Sequence, residues 1–390
     1  MSKVSIIKCD SYDRELVFES VKKSIELLGG MEKFVKKGDK VLIKPNLLSP
    51  KKPDKSVTTH PEIVRAIIKL VKSVGGNPYV GDSPGGSVVG SHETSRLLAT
   101  IDKYWSETGM TEVCNEEGAK LVSFETGGVE IFKIKNRKYT PEVYISKKVT
   151  SFDVIISVPK LKTHGMVLFT GAIKNLFGCV PGLRKSTYHK QAIHPDNFSQ
   201  LLVDICSIVK PRLSIFDGIY GMDGNGPAAG RIKKFGVIVA GEDAVAVDSV
   251  ASKIIGFKNP NEIPTTRIAS KQKLGESDLT KIEILGEKLD DVIQKDFLKP
   301  SNAILKTIPQ WLVTLMSKLI WSYPEIDETK CTVCKMCVKS CPVGAIEIKE
   351  RFPKVNRKKC ITCMCCHELC NYYAIKIKLS WLADKVVKRK

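Results

Sequence analysis

Nine of the thirteen cysteines crowd between residues 331 and 370, while the other four stand apart at 9, 114, 179 and 206. The crowd reads Cys331-x2-Cys334-x2-Cys337-x3-Cys341-Pro342, then Cys360-x2-Cys363-x2-Cys366-x3-Cys370. Each run has the spacing of a bacterial 4Fe–4S ferredoxin. A loop this tight lets three thiolates converge on three irons of one cubane. The fourth cysteine, three residues on, points the other way and ligates the other cluster. One cluster is therefore expected on Cys331, Cys334, Cys337 and Cys370, and a second on Cys360, Cys363, Cys366 and Cys341. An extracellular disulfide framework does not have this distribution. Tetrahedral zinc also uses CxxC pairs, but it does not call for two complete runs.

An internal repeat supports the exchange. Ala345-Ile346-Glu347-Ile348-Lys349 follows the first run, and Ala374-Ile375-Lys376-Ile377-Lys378 follows the second at the same offset. Each half of a pseudo-two-fold module would contribute one alternating strand. Two details depart from the ferredoxin pattern. Asn371 stands where a proline is usual, and Cys365 is an extra thiol, expected to be a buried bystander. Between Ile326 and Lys378 there are eleven Lys and Arg against five Asp and Glu. Eight thiolates and two oxidised cores still leave a net charge of about +2. A basic module attracts an acidic carrier such as a ferredoxin or flavodoxin, and reads as the point where electrons enter a larger protein.

The chain has 390 residues, long enough for a large domain beside this small one. Residues 1–290 read as α/β, 291–325 as a linker with an amphipathic helix, 326–378 as the cluster module and 379–390 as a basic tail. Strands are expected at 40–44, 78–80, 153–158, 213–216 and 235–240. Helices are expected at 61–74, 92–108, 198–209 and 243–255. In the first of these, Ile63, Val64, Ile67, Ile68, Val71 and Val74 recur at intervals of three and four. Alternation of this kind predicts a largely parallel sheet flanked by helices, followed by a small α+β ferredoxin-like domain.

Polar residues stand at the strand ends: Lys44-Pro45-Asn46, Gly81-Asp82-Ser83-Pro84-Gly85-Gly86, Val158-Pro159-Lys160-Leu161-Lys162-Thr163-His164 and Asp217-Gly218. In open parallel sheets ligands bind outside the carboxyl ends of the strands, so these tips read either as one shared pocket or as polar-capped turns. The glycine-rich segment has neither Walker nor GxGxxG spacing, so it implies no nucleotide.

Together these segments resemble the DUF362 domain, a domain of unknown function often joined to a C-terminal ferredoxin module. The resemblance is carried by Lys44-Pro45-Asn46, Thr58-Thr59-His60-Pro61, Gly81 to Gly86, Val158 to His164, Gly171-Ala172-Ile173-Lys174-Asn175-Leu176-Phe177-Gly178 and Ala246-Val247-Asp248. It spans nearly the whole chain and implies architecture and cofactors, but no particular reaction.

Lys160, Lys162, His164 and Asp82 are the candidate catalytic residues. The lysines would serve as point charges for an anion, and the histidine would exchange protons near neutral pH. Lys44, Asn46, Ser83, Gly85, Gly86, Lys174 and Asn175 are the candidate anion-binding residues. Thr59 and Glu62 have the spacing of a capping box. Residues 184–190 read as a solvated basic stretch or a second anion-binding run. Asp217 and Asp248 are further candidate carboxylates, the latter expected on a helix surface.

The net charge of +20 suits acidic partners. No helix-turn-helix, RRM or zinc-finger signature accompanies it, which argues against nucleic acid. No stretch approaches a membrane span, and the N-terminus lacks a signal core, so a cytoplasmic protein is expected. Residues 304–321 and 381–390 would serve as an interfacial anchor or pack against the body of the protein. The overall expectation is a ferredoxin-dependent reductase of a small anionic molecule. Two rivals stand beside it: a non-catalytic electron-transfer or assembly protein whose α/β domain docks a partner, and an anion-binding protein whose clusters are structural.

Overall fold

A computed structural model describes residues 1–83, 94–182, 184–192, 194–300, 322–363, 365–368, 370 and 372–381. Gly85, Gly86, Asn371, the expected helix within 304–321 and the tail beyond Trp381 lie outside the described residues. The N-terminal half runs β1 (Ser2–Lys8), α1 (Arg14–Glu26), β2 (Lys40–Pro45), α2 (Pro61–Ser73), β3 (Asn77–Asp82), α3 (Thr94–Glu107), α4 (Met110–Glu117) and β4 (Lys120–Ser123). A hairpin of β5 (Val129–Lys133) and β6 (Glu142–Ser146) leads through α5 (Lys147–Thr150) to β7 (Val154–Val158), β8 (Lys160–His164) and β9 (Leu168–Thr170). There follow α6 (Ala172–Asn175), α7 (Arg184–Gln191), α8 (Pro195–Val209), β10 (Leu213–Asp223), β11 (Arg231–Gly241), α9 (Ala244–Ile255), α10 (Pro264–Lys271) and β12 (Ile282–Gly286).

Among the described residues, ten of these strands form one sheet, in the order β12-β1-β11-β10-β7-β2-β3-β4, with β8 against β10 and β9 against β8. β10, β7, β2, β3 and β4 run parallel, whereas β11 is antiparallel to both of its neighbours. The sheet is thus mixed but mostly parallel, as expected. From β2 the chain moves outward through β3 and β4, then returns to place β7 on the other side of β2. That reversal makes a crevice at the carboxyl ends of β2 and β7, where open sheets of this kind bind ligands.

Period-two alternation divides the core between the faces. Val41, Ile43, Ile156, Ile215 and Ile238 pack on one face with Val17, Val21, Val64, Ile67 and Val71 of α1 and α2. Leu42, Ile155, Phe216 and Val239 pack on the other with Phe198, Leu202, Val247 and Ile254 of α8 and α9. The apolar stripe read along 61–74 is the face that α2 buries. Pro61 occupies the first turn, and Gly75, at a φ of +79°, takes a left-handed conformation just beyond the helix.

The C-terminal module contains β13 (Ser322–Ile326), α11 (Met336–Ser340), β14 (Ile346–Lys349), β15 (Phe352–Val355), α12 (Cys365–Glu368) and β16 (Ile375–Leu379). β13 pairs antiparallel with β16, and β14 with β15. The two halves repeat their hydrogen bonds. Asp327 N donates to Ala374 O at 2.6 Å as Asn356 N does to Ala345 O at 2.7 Å. Ala345 N meets Cys341 Sγ at 3.1 Å as Ala374 N meets Cys370 Sγ at 3.3 Å. Val333 and Thr362, at matching positions, both take positive φ. The sequence repeat therefore folds as a structural repeat.

Candidate functional site

β2 and β3 deliver a buried ion pair to the crevice. Lys44 Nζ lies 2.8 Å from Asp82 Oδ1, and neither side chain has appreciable exposure. Lys44 also donates to Pro45 O at 3.0 Å. Asp82 accepts from Leu47 N at 3.1 Å and Ser83 N at 2.8 Å. Burial raises the Asp82 carboxyl against the pull of Lys44. Gly178 packs directly over the pair: a Cβ there would sit 2.0 Å from Asp82 Oδ1 and 2.6 Å from Lys44 Nζ. That close approach requires glycine at the end of the Gly171–Gly178 segment.

Above the pair opens a solvent-accessible recess. Lys44, Asn46, Asp82, Ser83, Lys174 and Asn175, all singled out in the sequence, line it together. Asn175 spans the β2–β7 junction, its Nδ2 donating to Lys44 O and to Ser157 Oγ, each at 3.0 Å. Asn46 Nδ2 reaches Asn175 Oδ1 at 3.4 Å, and Asn46 Oδ1 has no partner among the described residues. The remaining wall brings Phe177, Lys185, Ser186, His189 and Cys365. Lys185 keeps some exposure on the recess but is packed closely, donating to Ser83 O at 2.8 Å and contacting Ser83 Oγ. Desolvation lowers its ammonium to about 8, against the opposing pull of Glu125 and Asp82. His189 is buried and stacks on Phe198, with ring centroids 4.3 Å apart. The 184–190 stretch is thus not simply solvated. Lys185, Tyr188 and His189 turn inward at helical spacing, a pattern that the polarity of α7 hides in the sequence.

Lys160, Lys162 and His164 form β8 on the other side of β7, paired with β10, and none of them lines the recess. Lys160 Nζ binds Asp217 Oδ2 at 2.8 Å and Tyr12 Oη at 2.7 Å. The Tyr12 hydroxyl donates to Asp217 Oδ1 at 2.7 Å, and its ring stacks on His60 at 3.6 Å. Lys162 Nζ donates to Val57 O at 2.5 Å. His164 Nδ1 accepts from Met166 N at 3.0 Å and Val167 N at 3.2 Å. All three residues are fully buried. The structure does not bring them together with Lys44 and Asp82 as expected, because alternation fixes a shared face, not which neighbouring strand that face meets.

Two smaller corrections follow. His60, not Thr59, caps α2 by accepting from Glu62 N at 3.2 Å. Thr59 Oγ1 instead donates to Val158 O at 2.7 Å and accepts from Asn46 N at 2.8 Å, which ties the ends of β7 and β2. Asp248 does not face a helix surface: it is fully buried and accepts from Ala172 N at 2.5 Å and Ile173 N at 3.2 Å. A Cβ at Gly171 would lie 2.4 Å from its carboxyl. Burial pushes Asp248 up to about 7, although the two amides pull the other way. The folded chain holds that proton more tightly than the unfolded chain, where aspartate titrates near about 3.9. The associated stability is therefore present below about pH 4 and lost as pH rises to about 7, at up to about 1.4 kcal/mol per unit. Asp248→Asn is expected to flatten that part of the pH–stability profile in denaturant unfolding. An unchanged slope would show that this carboxyl does not titrate abnormally.

In the C-terminal module, Cys331, Cys334, Cys337 and Cys370 line one recess, while Cys341, Cys360, Cys363 and Cys366 line another. This is the grouping that ligand exchange between the two runs requires. Burial pushes the Cys337 thiol up to about 11 and raises Cys366 well above the ordinary thiol value. Both would give up a proton on meeting iron. Among the described residues, no three His, Cys, Asp or Glu side chains converge on a single-ion site, and the thiols are spread round recess walls. An all-thiol donor set around a recess suits an iron–sulfur cluster. The module meets the α/β domain at Lys51, whose ammonium lies 4.4 Å from the Tyr373 ring centroid, and at Cys365 on the lysine-lined recess. No helix among the described residues is long and apolar enough to cross a membrane.

The family described as "Domain of unknown function (DUF362)" matches residues 41–253, and the 4Fe-4S binding domain matches residues 324–347. The second match supports at least one iron–sulfur cluster. A thylakoid-associated protein of Synechocystis sp. is 35% identical over 280 residues, covering 70% of this chain and 79% of that relative. Among solved structures, the lactate racemase apoprotein from Thermoanaerobacterium thermosaccharolyticum aligns at 12% identity and a TM-score of 0.39, covering 63% of this chain and 55% of that one.

Proposed function

The chain belongs to the DUF362 family, and from that premise and the lysine-lined recess we propose a cytoplasmic, ferredoxin-dependent reductase of a small anionic molecule. Two 4Fe–4S clusters, held by the two sets of four cysteines, would supply one-electron transfers at low potential. The observation that carries the reading is the convergence of Lys44, Lys174 and Lys185 with a single carboxylate, Asp82, in one concave site that Cys365 of the cluster module also lines. Three ammonium groups against Asp82 in the lining and Glu125 beside Lys185 leave a net positive charge, which favours a ligand with negative charge.

Lys44 is held by Asp82 and acts as a positioning group, and Lys185 is likewise anchored on Ser83 O. Lys174 and Lys185 are the groups that bind the anion, with Asn46, Asn175 and Ser186 as neutral hydrogen-bonding partners. A two-electron reduction takes two electrons and two protons. The electrons come singly from an acidic carrier such as a ferredoxin or flavodoxin. Lys185 and His189 are the groups placed to hand over the protons and recover them from water.

The test is anaerobic. Dithionite-reduced full-length protein is mixed with small phosphorylated and carboxylated metabolites, and reoxidation is followed by absorbance. Reoxidation by one anion class is the expected result, slowed at least about tenfold by Lys185→Ala, since a charge-assisted hydrogen bond contributes about 1.5–3 kcal/mol. Because Lys185 titrates near 8, anion binding is expected to hold below that pH and weaken above it. Failure of every anion to reoxidise the protein would sink the reductase reading and leave a docking role for the α/β domain.

A further inference from the structure

We infer that the lysine-lined recess is coupled to only one of the two thiol-lined recesses, that of Cys341, Cys360, Cys363 and Cys366, and that Cys365 is the positioning residue forming their common wall. The inference deepens the proposed function and rests on its two-cluster, anion-binding reading. Cys365 is buried at the start of α12 and lines both spaces. Among the described residues, the other thiol recess is lined by residues between 326 and 375, and it shares no lining residue with the lysine pocket.

The repeat makes this an asymmetry between halves. Cys365 precedes Cys366 as Met336 precedes Cys337. Met336 lines the first thiol recess alone. Its counterpart has a shorter side chain and lines both the thiol recess and the lysine pocket, so the two spaces share that residue. The second reading of Cys365, a bystander in the module core, does not account for its place on the pocket.

An anion held by Lys174 and Lys185 should then disfavour an added electron behind Cys365, because two negative charges repel more strongly in a poorly hydrated interior. Linkage makes the effect reciprocal: the anion binds more weakly to the reduced protein by the same factor that it shifts the midpoint. The probe is inorganic phosphate, added to anaerobically purified full-length protein during an EPR-monitored redox titration, with phosphate affinity measured separately by calorimetry. The expected result is a roughly tenfold weaker affinity in the reduced state, which lowers one of two midpoints by about 59 mV and moves the other by less than half as much. Cys365→Met, which copies the first repeat, should alter the line shape or midpoint of the phosphate-sensitive signal alone. Lys185→Ala should abolish the shift.

Phosphate that binds yet moves both midpoints equally, or neither, would overturn the coupling while leaving the anion pocket standing. So would a Cys365→Met change confined to the phosphate-insensitive signal. Absence of phosphate binding in calorimetry would instead remove the pocket reading on which the coupling depends.

Discussion

Replacing Asp217 by alanine is expected to cost about 3–5 kcal/mol of folding stability, because it leaves a buried ammonium without its counter-charge. Asp217 is fully buried and takes three short hydrogen bonds, from Lys160 Nζ at 2.8 Å, the Tyr12 hydroxyl at 2.7 Å and His60 N at 2.8 Å. Without it, the Lys160 ammonium stays in the interior with Tyr12 Oη as its remaining hydrogen-bond partner among the described residues, and burial already lowers the pKa of that lysine. The His60 amide at the start of α2 would lose its acceptor as well. Against a typical total of about 5–15 kcal/mol, such a loss leaves little of the native state in mild denaturant.

Controls separate a lost charge from a lost shape. Asp217→Asn keeps the volume and one acceptor, so it should cost less than the alanine. A Lys160→Met, Asp217→Leu double replacement should recover much of the loss, because exchanging both members of a buried pair for apolar groups removes the unpaired charge. Exposed pairs such as Lys3–Glu283 should not register in the same denaturant titration. If Asp217→Ala shifts the midpoint no more than a surface replacement does, the network around Asp217 is not holding the sheet to α2.

The same network shows where sequence reasoning ran out. The strand tips Lys44-Pro45-Asn46 and Asp82-Ser83 were legible, because an apolar run that ends in polar residues places them at a carboxyl edge, and the switch between β2 and β7 makes that edge a crevice. Lys160, Lys162 and His164 have the same local signature, yet they serve the opposite side of β7. The pairing of β8 with β10 separates the two groups, and it is set by residues nearly sixty positions away. Thr59 shows a finer limit. The T-x-x-E pattern is present, but the hydroxyl is drawn to Val158 O, so the neighbouring His60 caps the helix. Lys185 was obscured for a different reason: α7 is so polar that its inward face, Lys185, Tyr188 and His189, does not stand out by hydropathy. The first cysteine run was legible from its spacing, and it falls within the matched 4Fe-4S binding domain; the same spacing in the second run implies a geometry of its own.

That geometry makes a prediction that iron counting can decide. If Cys341 serves the second run and Cys370 the first, the wild-type chain purified without oxygen should hold about eight irons and as many sulfides. Single replacements cannot reveal the pairing, since losing any one ligand removes one cluster. Double replacements can. Cys341→Ala combined with Cys360→Ala removes two ligands of the same cluster and should still leave about four irons. Cys341→Ala combined with Cys331→Ala removes one ligand from each cluster and should leave almost none. Ligation confined within each run reverses the order, because Cys341 then belongs with Cys331. The two thiol-lined recesses favour the exchanged arrangement: Cys370 stands with Cys331, Cys334 and Cys337, and Cys341 stands with Cys360, Cys363 and Cys366. The spin-coupled EPR signal of the reduced wild type, which needs two clusters close together, should collapse in the first double variant to that of an isolated cluster. About four irons in the wild type would instead mean that only one run holds a cluster, and the path from an acidic carrier to the lysine pocket would have to be redrawn.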